Sequence, residues 1–290
     1  MLTGFVVFAL LLGLLGGAAL WQSGGSVAFA VANLPTHFFN GTVRRGVVFD
    51  AETGLKLDIY RPKGAGPFPV VVFFYGGRWT EGRRQDYAFV GTSLARAGYL
   101  TVIPDYRKYP DVRFPAFVED GARAVAWVAR EIAEDRGELG RAFLSGHSAG
   151  AHIGALLAAD RRYLRAAGAA ETTLAGFAGL AGPYHFTPDA PDLEDMFGPP
   201  QAYPEMQVGS FADAQMPPML FLWGGADETV GLINIERVEA AAPDACTARR
   251  AHPGGDHIGM IASLAWVYRP HRAVFGDLTA FFDDPTAICR

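Results

Sequence analysis

Hydrophobic positions along the chain fall into three regimes. In the first, residues 5–20 are almost purely apolar, Leu2 and Trp21 extend the run to about twenty positions, and no Asp, Glu, Lys or Arg occurs before Arg44. Twenty helical residues rise roughly 30 Å, the thickness of a bilayer's hydrocarbon core. A buried soluble helix of that length shows a polar face. This run has none, which predicts a membrane anchor or signal segment over residues 1–22. A secretory signal carries a positive n-region and a small-residue cleavage site. Here the n-region lacks Lys and Arg, and the Ala28-Phe29-Ala30 pattern falls late. The reading favours an uncleaved, membrane-associated N-terminal helix with Trp21 at the interface, and leaves the side of the membrane open. A second apolar stretch, 27–34, is too short to span. It belongs to an apolar linker over 23–44 that lies on the membrane surface or packs against the domain.

In the second regime the pattern changes to alternating short apolar runs and amphipathic stretches. Residues 47–49 and 55–60 flank a turn ending in Gly54 and read as a hairpin. Residues 69–74 are a continuous β-branched and aromatic run, the signature of a strand buried on both faces. Helical spacing follows over 87–97, a strand over 99–103, a helix over 117–132, and a short strand over 142–144. A helix rich in small residues occupies 149–159. Strands over 174–180, 219–223 and 246–251, and helices over 233–241 and 274–282, complete the alternation. This order predicts an α/β fold with a mostly parallel sheet and helices on both faces, spanning 45–290. The third regime, 183–217, is Pro-rich, irregular and too long for an ordinary connection. It is read as a small cap over a site.

Composition narrows the function. The formal charge of −5 offers no phosphate-neutralising surface, so nucleic acid is not expected as a partner. Two cysteines, Cys246 and Cys289, build neither a disulfide framework nor a zinc cluster by themselves. One disulfide in an oxidising compartment and two free thiols both remain open. No metal-ligand spacing is visible, and no cofactor is expected.

The chemistry concentrates at Gly146-His147-Ser148-Ala149-Gly150, a G-x-S-x-G sequence between a predicted strand and a predicted helix. A serine on such a tight turn presents its hydroxyl to the open, and the glycines remove Cβ atoms that would clash there. A serine hydroxyl needs a base, and the base an orienting acid. Asp227 follows the 219–223 strand through Gly224-Gly225-Ala226, and His257 lies in a glycine-rich loop after the 246–251 strand. Both therefore map to the edge that carries Ser148. Glu228 and Asp256 are weaker candidates for the acid, and His252 for the base; His147 and His152 stand too near Ser148 in sequence to serve easily as base. Tyr75-Gly76-Gly77-Arg78-Trp79 follows the 69–74 strand. The amides of Gly76, Gly77 and Arg78, with that of Ala149, are placed to form an oxyanion hole. Tyr75, Trp79, Met196 and Phe197 are candidate walls of a substrate pocket.

With these residues assembled, the chain resembles the α/β-hydrolase superfamily. More narrowly it resembles the esterase and lipase branch related to hormone-sensitive lipases, bacterial carboxylesterases and kynurenine formamidase-like enzymes. Residues 75–79 match that branch's H-G-G-x-W segment, Pro104-Asp105-Tyr106-Arg107 its D-Y-R turn, and Phe114-Pro115-Ala116 through Asp120 its helix start. Tyr75 replaces the usual histidine, which generally positions the glycine loop, and its hydroxyl is expected to take over that task. Arg78 replaces a small or aromatic residue; its guanidinium is free to meet a substrate carboxylate or pair with an acid. Gly224 stands where many relatives have histidine. Asp105 and Arg107 are read as a buried structural pair.

The resemblance implies a serine hydrolase of carboxylesterase type acting on a small-molecule ester through an acyl-enzyme. A formamide or amide hydrolase with the same triad, and a catalytically silent binding protein, are the alternatives. The oligomeric state is not legible.

Overall fold

The computed structural model describes residues 26–169, 174–266 and 272–289. The predicted anchor lies outside them. Among the described residues no helix is long and apolar enough to cross a membrane.

Eight strands form one sheet: β1 (Thr42–Asp50), β2 (Leu55–Arg61), β3 (Phe68–Phe74), β4 (Leu100–Pro104), β5 (Gly137–His147), β6 (Leu174–Leu180), β7 (Met219–Gly224) and β8 (Thr247–His252). Their order is β1-β2-β4-β3-β5-β6-β7-β8. The opening hairpin pairs antiparallel, β2 joins β4 antiparallel, and every pair from β4 to β8 is parallel. The parallel centre is apolar as predicted: Val70 to Phe74 in β3 and Phe177, Ala178 and Leu180 in β6 are fully or almost fully buried.

The helices are α1 (Ser26–Asn33), α2 (Ala88–Arg96), α3 (Ala116–Glu131), α4 (Ala149–Ala159), α5 (Arg161–Ala166), α6 (Pro191–Phe197), α7 (Ile233–Ala241), α8 (His257–Ala262) and α9 (Arg272–Asp283). Successive strand residues point to opposite sheet faces, and β6 shows which helix lies on which face. A Cβ on Gly176 would press on Phe281 of α9, whereas Phe177 lies against Gly154 of α4. The helices therefore cover both faces, as the alternation requires.

Several elements differ from the sequence reading. The strand expected over 142–144 runs from Gly137 to His147: Gly137 and Glu138 pair with Phe68 and Pro69, a register shift follows, and Ala142 to Gly146 pair with Val70 to Phe74, so tertiary pairing extends the strand through a stretch with no apolar pattern of its own. The stretch read as a linker carries α1 and a 3-10 turn, Leu34–Phe38, ahead of β1. Helix α1 is fastened to the domain. The Asn33 side chain donates to the Asp86 carbonyl at 2.8 Å and accepts from the Phe89 N–H at 2.7 Å, and Phe29 packs on Tyr87. Cys246 and Cys289 form a disulfide with Cα atoms 5.0 Å apart, tying the last turn of the chain to the start of β8. The segment 183–217 holds α6 and two 3-10 turns, Pro200–Met206 and Val208–Ser210.

Candidate active site

Four parallel strands end at one edge of the sheet, and each delivers part of the site there. Strand β5 ends at His147 and α4 begins at Ala149, which leaves Ser148 alone on the turn with φ 53° and ψ −123°. That backbone is unfavourable for an L-residue and is held by its surroundings. The Ser148 N–H donates to the Leu180 carbonyl at 2.9 Å and its carbonyl accepts from His152 N–H at 3.0 Å. The flanking glycines are sterically required. A Cβ on Gly150 would lie 2.1 Å from the Phe74 carbonyl oxygen, and one on Gly146 would lie 2.5 Å from the Gly150 carbonyl carbon.

Asp227 stands beyond β7 and His257 beyond β8. His257 Nε2 is 2.9 Å from Ser148 Oγ, and its Nδ1 is 2.9 Å from Asp227 Oδ2. The Asp227 side chain is buried, that of His257 is 14% exposed, and Ser148 is partly open. Asp227 Oδ1 also accepts the N–H groups of Thr229 and Val230, both at 2.8 Å. Burial alone would raise the Asp227 carboxyl, but the hydrogen bonds from His257, Val230 and Thr229 outweigh it and hold the pKa below the ordinary carboxylate range. An ionised Asp227 fixes the Nδ1–H tautomer and leaves Nε2 as the acceptor facing the serine. The glycine-rich sequence predicts a loop at His257; the residue is instead the first of α8, capped by Asp256, which accepts from Gly259 N–H.

The rival residues have other work. Glu228 and Asp256 are exposed. His252 pairs with Asp277 at 3.2 Å. His152 is fully buried with Nε2 2.7 Å from the Met206 carbonyl oxygen, and burial lowers its pKa to about 4. His147, too near Ser148 in sequence to serve easily as base, supports the base instead. Its Nε2 is 2.9 Å from the His257 carbonyl oxygen, a contact in which the imidazole N–H donates. Burial and the neighbouring His257 lower the His147 pKa to about 3, so the ring stays neutral.

The glycine loop reaches the same place. A Cβ on Gly76 would lie 3.2 Å from Ser148 Cβ, so this loop abuts the serine itself. Ala149 is the first residue of α4, and its N–H has no partner within the helix. Gly77, with φ 131°, needs the freedom of glycine, since a Cβ would meet the Glu81 carbonyl oxygen at 2.3 Å. Tyr75 is buried beneath, stacked between Tyr87 and Tyr106, with its hydroxyl 3.1 Å from Asp105 Oδ1; Tyr106 OH donates to the Tyr75 carbonyl at 3.0 Å.

Two expectations are corrected. Asp105 and Arg107 are not partners. Arg84 pairs with both Asp105 and Asp58, while Arg107 makes a bidentate pair with the fully buried Asp120 at 2.8–3.1 Å. The four pocket candidates are core side chains here: Tyr75 and Met196 have no exposed surface, and Trp79 and Phe197 retain 4% and 2%. Trp79 stacks on Phe186 at 5.7 Å and meets Phe197 edge-on at 5.0 Å, so the cap fills this space with its own rings. Arg78 pairs with an acid, Asp192 of the cap. Among the described residues no group of three or more His, Cys, Asp or Glu side chains is arranged to hold a metal ion.

A largely parallel eight-stranded sheet, a serine elbow after β5, an acid after β7 and a histidine after β8 define the α/β-hydrolase fold, which the chain adopts. Within it, residues 57–175 match the BD-FAE family. The isoprenylcysteine alpha-carbonyl methylesterase ICME of Arabidopsis thaliana is 35% identical over 121 residues, covering 41% of this chain and 28% of the relative. Esterase LipQ of Mycobacterium tuberculosis is 29% identical over 213 residues, 66% of this chain and 50% of the relative. The chain thus spans between about a quarter and a half of the curated relatives it matches. A Pyrobaculum calidifontis esterase superposes with a TM-score of 0.72 at 20% identity, covering 89% of this chain and 91% of that one. Thermogutta terrifontis esterase 2 does so with 0.67 at 20% identity, covering 85% and 94%. These structures share the fold, and the expected resemblance to the esterase and lipase branch is borne out.

Proposed function

We propose that this protein is a serine hydrolase that cleaves carboxylic esters. The observation that carries the reading is the relay from Ser148 Oγ through His257 to Asp227, with both contacts at 2.9 Å. Ser148 Oγ attacks the ester carbonyl while His257 Nε2 takes its proton. The same nitrogen returns the proton to the leaving alcohol. Asp227 holds the ring and stabilises the imidazolium. The N–H groups of Gly77, Arg78 and Ala149 supply the donors for the oxyanion, each worth about 3 kcal/mol in the barrier when well aimed, while the Gly76 N–H turns toward the buried Tyr87 hydroxyl. Water activated by His257 then releases the acid. The esterase names of the relatives support the reaction class.

The acyl group is short in this reading. Trp79, Met196 and Phe197 fill the space beneath the cap with their own side chains, and one structural neighbour was solved with butyrate bound. The test is a p-nitrophenyl ester series from acetyl to decanoyl, compared with Ser148→Ala. The expected result is an optimum at or below butyryl and no turnover in the variant. Turnover surviving in Ser148→Ala overturns the mechanism, and an optimum at decanoyl overturns the acyl assignment.

The same proposal places the enzyme at a membrane through residues 2–21, a reading that rests on the apolar sequence. The Cys246–Cys289 disulfide supports a domain exposed to an oxidising compartment. Full-length protein is expected to stay with membranes in alkaline carbonate, and a chain starting at Ser26 to be released; release of both removes the anchor from the proposal.

A further inference from the structure

Two consecutive residues of the glycine loop hold left-handed backbone, Arg78 at φ 53° and Trp79 at φ 59°. Neither is glycine. Such backbone persists at non-glycine residues only where the surroundings over-determine it. The side chains of both residues lead to the same element, α6 of the cap. The Arg78 guanidinium makes a two-pronged pair with Asp192 in the first turn of α6, Nε to Oδ2 at 3.2 Å and Nη2 to Oδ1 at 3.1 Å. The Trp79 ring meets Phe197, the last residue of α6, edge-on at 5.0 Å. Helix α6 is itself fastened to the scaffold. Arg113 pairs with Asp195 at 2.7 Å, the Tyr109 hydroxyl donates to Asp195 at 2.9 Å, and the Phe114 N–H donates to the Met196 carbonyl at 3.0 Å.

We propose that α6 braces the oxyanion loop, with Asp192 acting through Arg78 and Phe197 through Trp79 as positioning residues for ester hydrolysis. The inference rests on the serine-hydrolase reading. The peptide plane that carries the Arg78 N–H turns whenever φ of residue 78 changes, so a loop released from α6 no longer aims that donor at the place where the oxyanion forms. The pair is exposed, at 53% and 40% for the two side chains. An exposed pair adds little to global stability. Its loss therefore leaves the fold intact and is felt in kcat.

The experiment measures kcat, KM, melting temperature and fluorophosphonate inactivation rate for the wild type, Asp192→Asn, Arg78→Gly and the double variant. Complete loss of one oxyanion donor costs 10²–10³ in kcat, so a donor misaimed for most of the time costs about tenfold. That fall is expected in kcat and in inactivation rate for each single variant, with KM nearly unchanged. Arg78→Gly relieves left-handed strain and is expected to melt no lower than the wild type. The double variant is expected to be no slower than the slower single, because both act through one contact. Raising salt to about 1 M is expected to slow the wild type and leave Asp192→Asn unchanged, since salt screens an exposed pair. Wild-type kcat in both single variants, or losses that multiply in the double, overturns the brace. A wild type that neither turns over esters nor reacts with the fluorophosphonate overturns the hydrolase reading instead.

Discussion

Acid should destabilise this protein well before its carboxylates titrate, and His152 gives a clean way to measure the effect. Its ring is fully buried on α4, and burial lowers its pKa to about 4 from an ordinary 6.5. A histidine depressed in the folded state takes up its proton in the unfolded chain first. Its contribution to stability is therefore complete above pH 6.5 and is lost as pH falls from there toward its folded value. The slope is about 1.4 kcal/mol per pH unit, so at pH 5 His152 costs about 2 kcal/mol. His147, lowered to about 3, follows the same sign. Together the two remove about 4 kcal/mol at pH 5, a large share of the roughly 5–15 kcal/mol that holds a domain folded. Asp227 has the opposite arrangement: its lowered pKa stabilises the fold above the carboxylate range and plays no part between pH 6.5 and 5. Denaturant unfolding of the wild type and His152→Gln at pH 7.5, 6.5, 5.5 and 5 reads the effect directly. Glutamine keeps a donor for the Met206 carbonyl and cannot titrate. The wild type should lose stability relative to His152→Gln by about 2 kcal/mol between pH 6.5 and 5. Parallel curves would refute the assignment of His152 as a neutral buried base.

Other outcomes follow from single contacts. Asp227→Asn keeps the shape of the site but removes the charge that fixes the His257 tautomer, and should lower kcat by about 10⁴. An effect under tenfold would mean that another acid orients His257. Gly150→Ala sets a Cβ 2.1 Å from the Phe74 carbonyl oxygen. Calorimetry should show a loss of about 3 kcal/mol or more, because backbone atoms cannot move aside. Reduction of Cys246–Cys289, which closes a loop of 43 residues, should cost about 4 kcal/mol in unfolding free energy. An unchanged denaturation midpoint in dithiothreitol would show that the bond contributes nothing.

Legibility in the sequence tracked how local each signal was. Strand β6 and helix α4 were read at their observed ends, because an apolar run and a glycine-flanked helix start mark their own boundaries. The first half of β5 carries Glu138 and Arg141 and no alternation, and its pairing with β3 is set by tertiary structure. Helix α8 has six residues and an internal glycine, too short for a periodic pattern. Helix α5 had a usable sign, since Asp160 caps it by accepting from Arg162 N–H at 3.0 Å. The chain order of Ser148, Asp227 and His257 was readable because each follows a strand that could itself be recognised. Partner choice was not readable. Asp105 chose Arg84 over Arg107, Arg78 chose Asp192, and Trp79 met Phe197 across more than a hundred residues of chain. Composition also could not separate an aromatic pocket wall from an aromatic core, and burial assigned Tyr75, Trp79, Met196 and Phe197 to the core.

The central claim is that Ser148 is an activated nucleophile, and covalent labelling tests it most directly. A Thermogutta terrifontis esterase of the same fold was solved phosphonylated by sarin. Incubating this protein with a fluorophosphonate and mapping the adduct by peptide mass spectrometry should place a single modification on Ser148. The label should be absent from Ser148→Ala and much slower in Asp227→Asn. A folded protein that stays unlabelled, or a label on any other residue, contradicts the account.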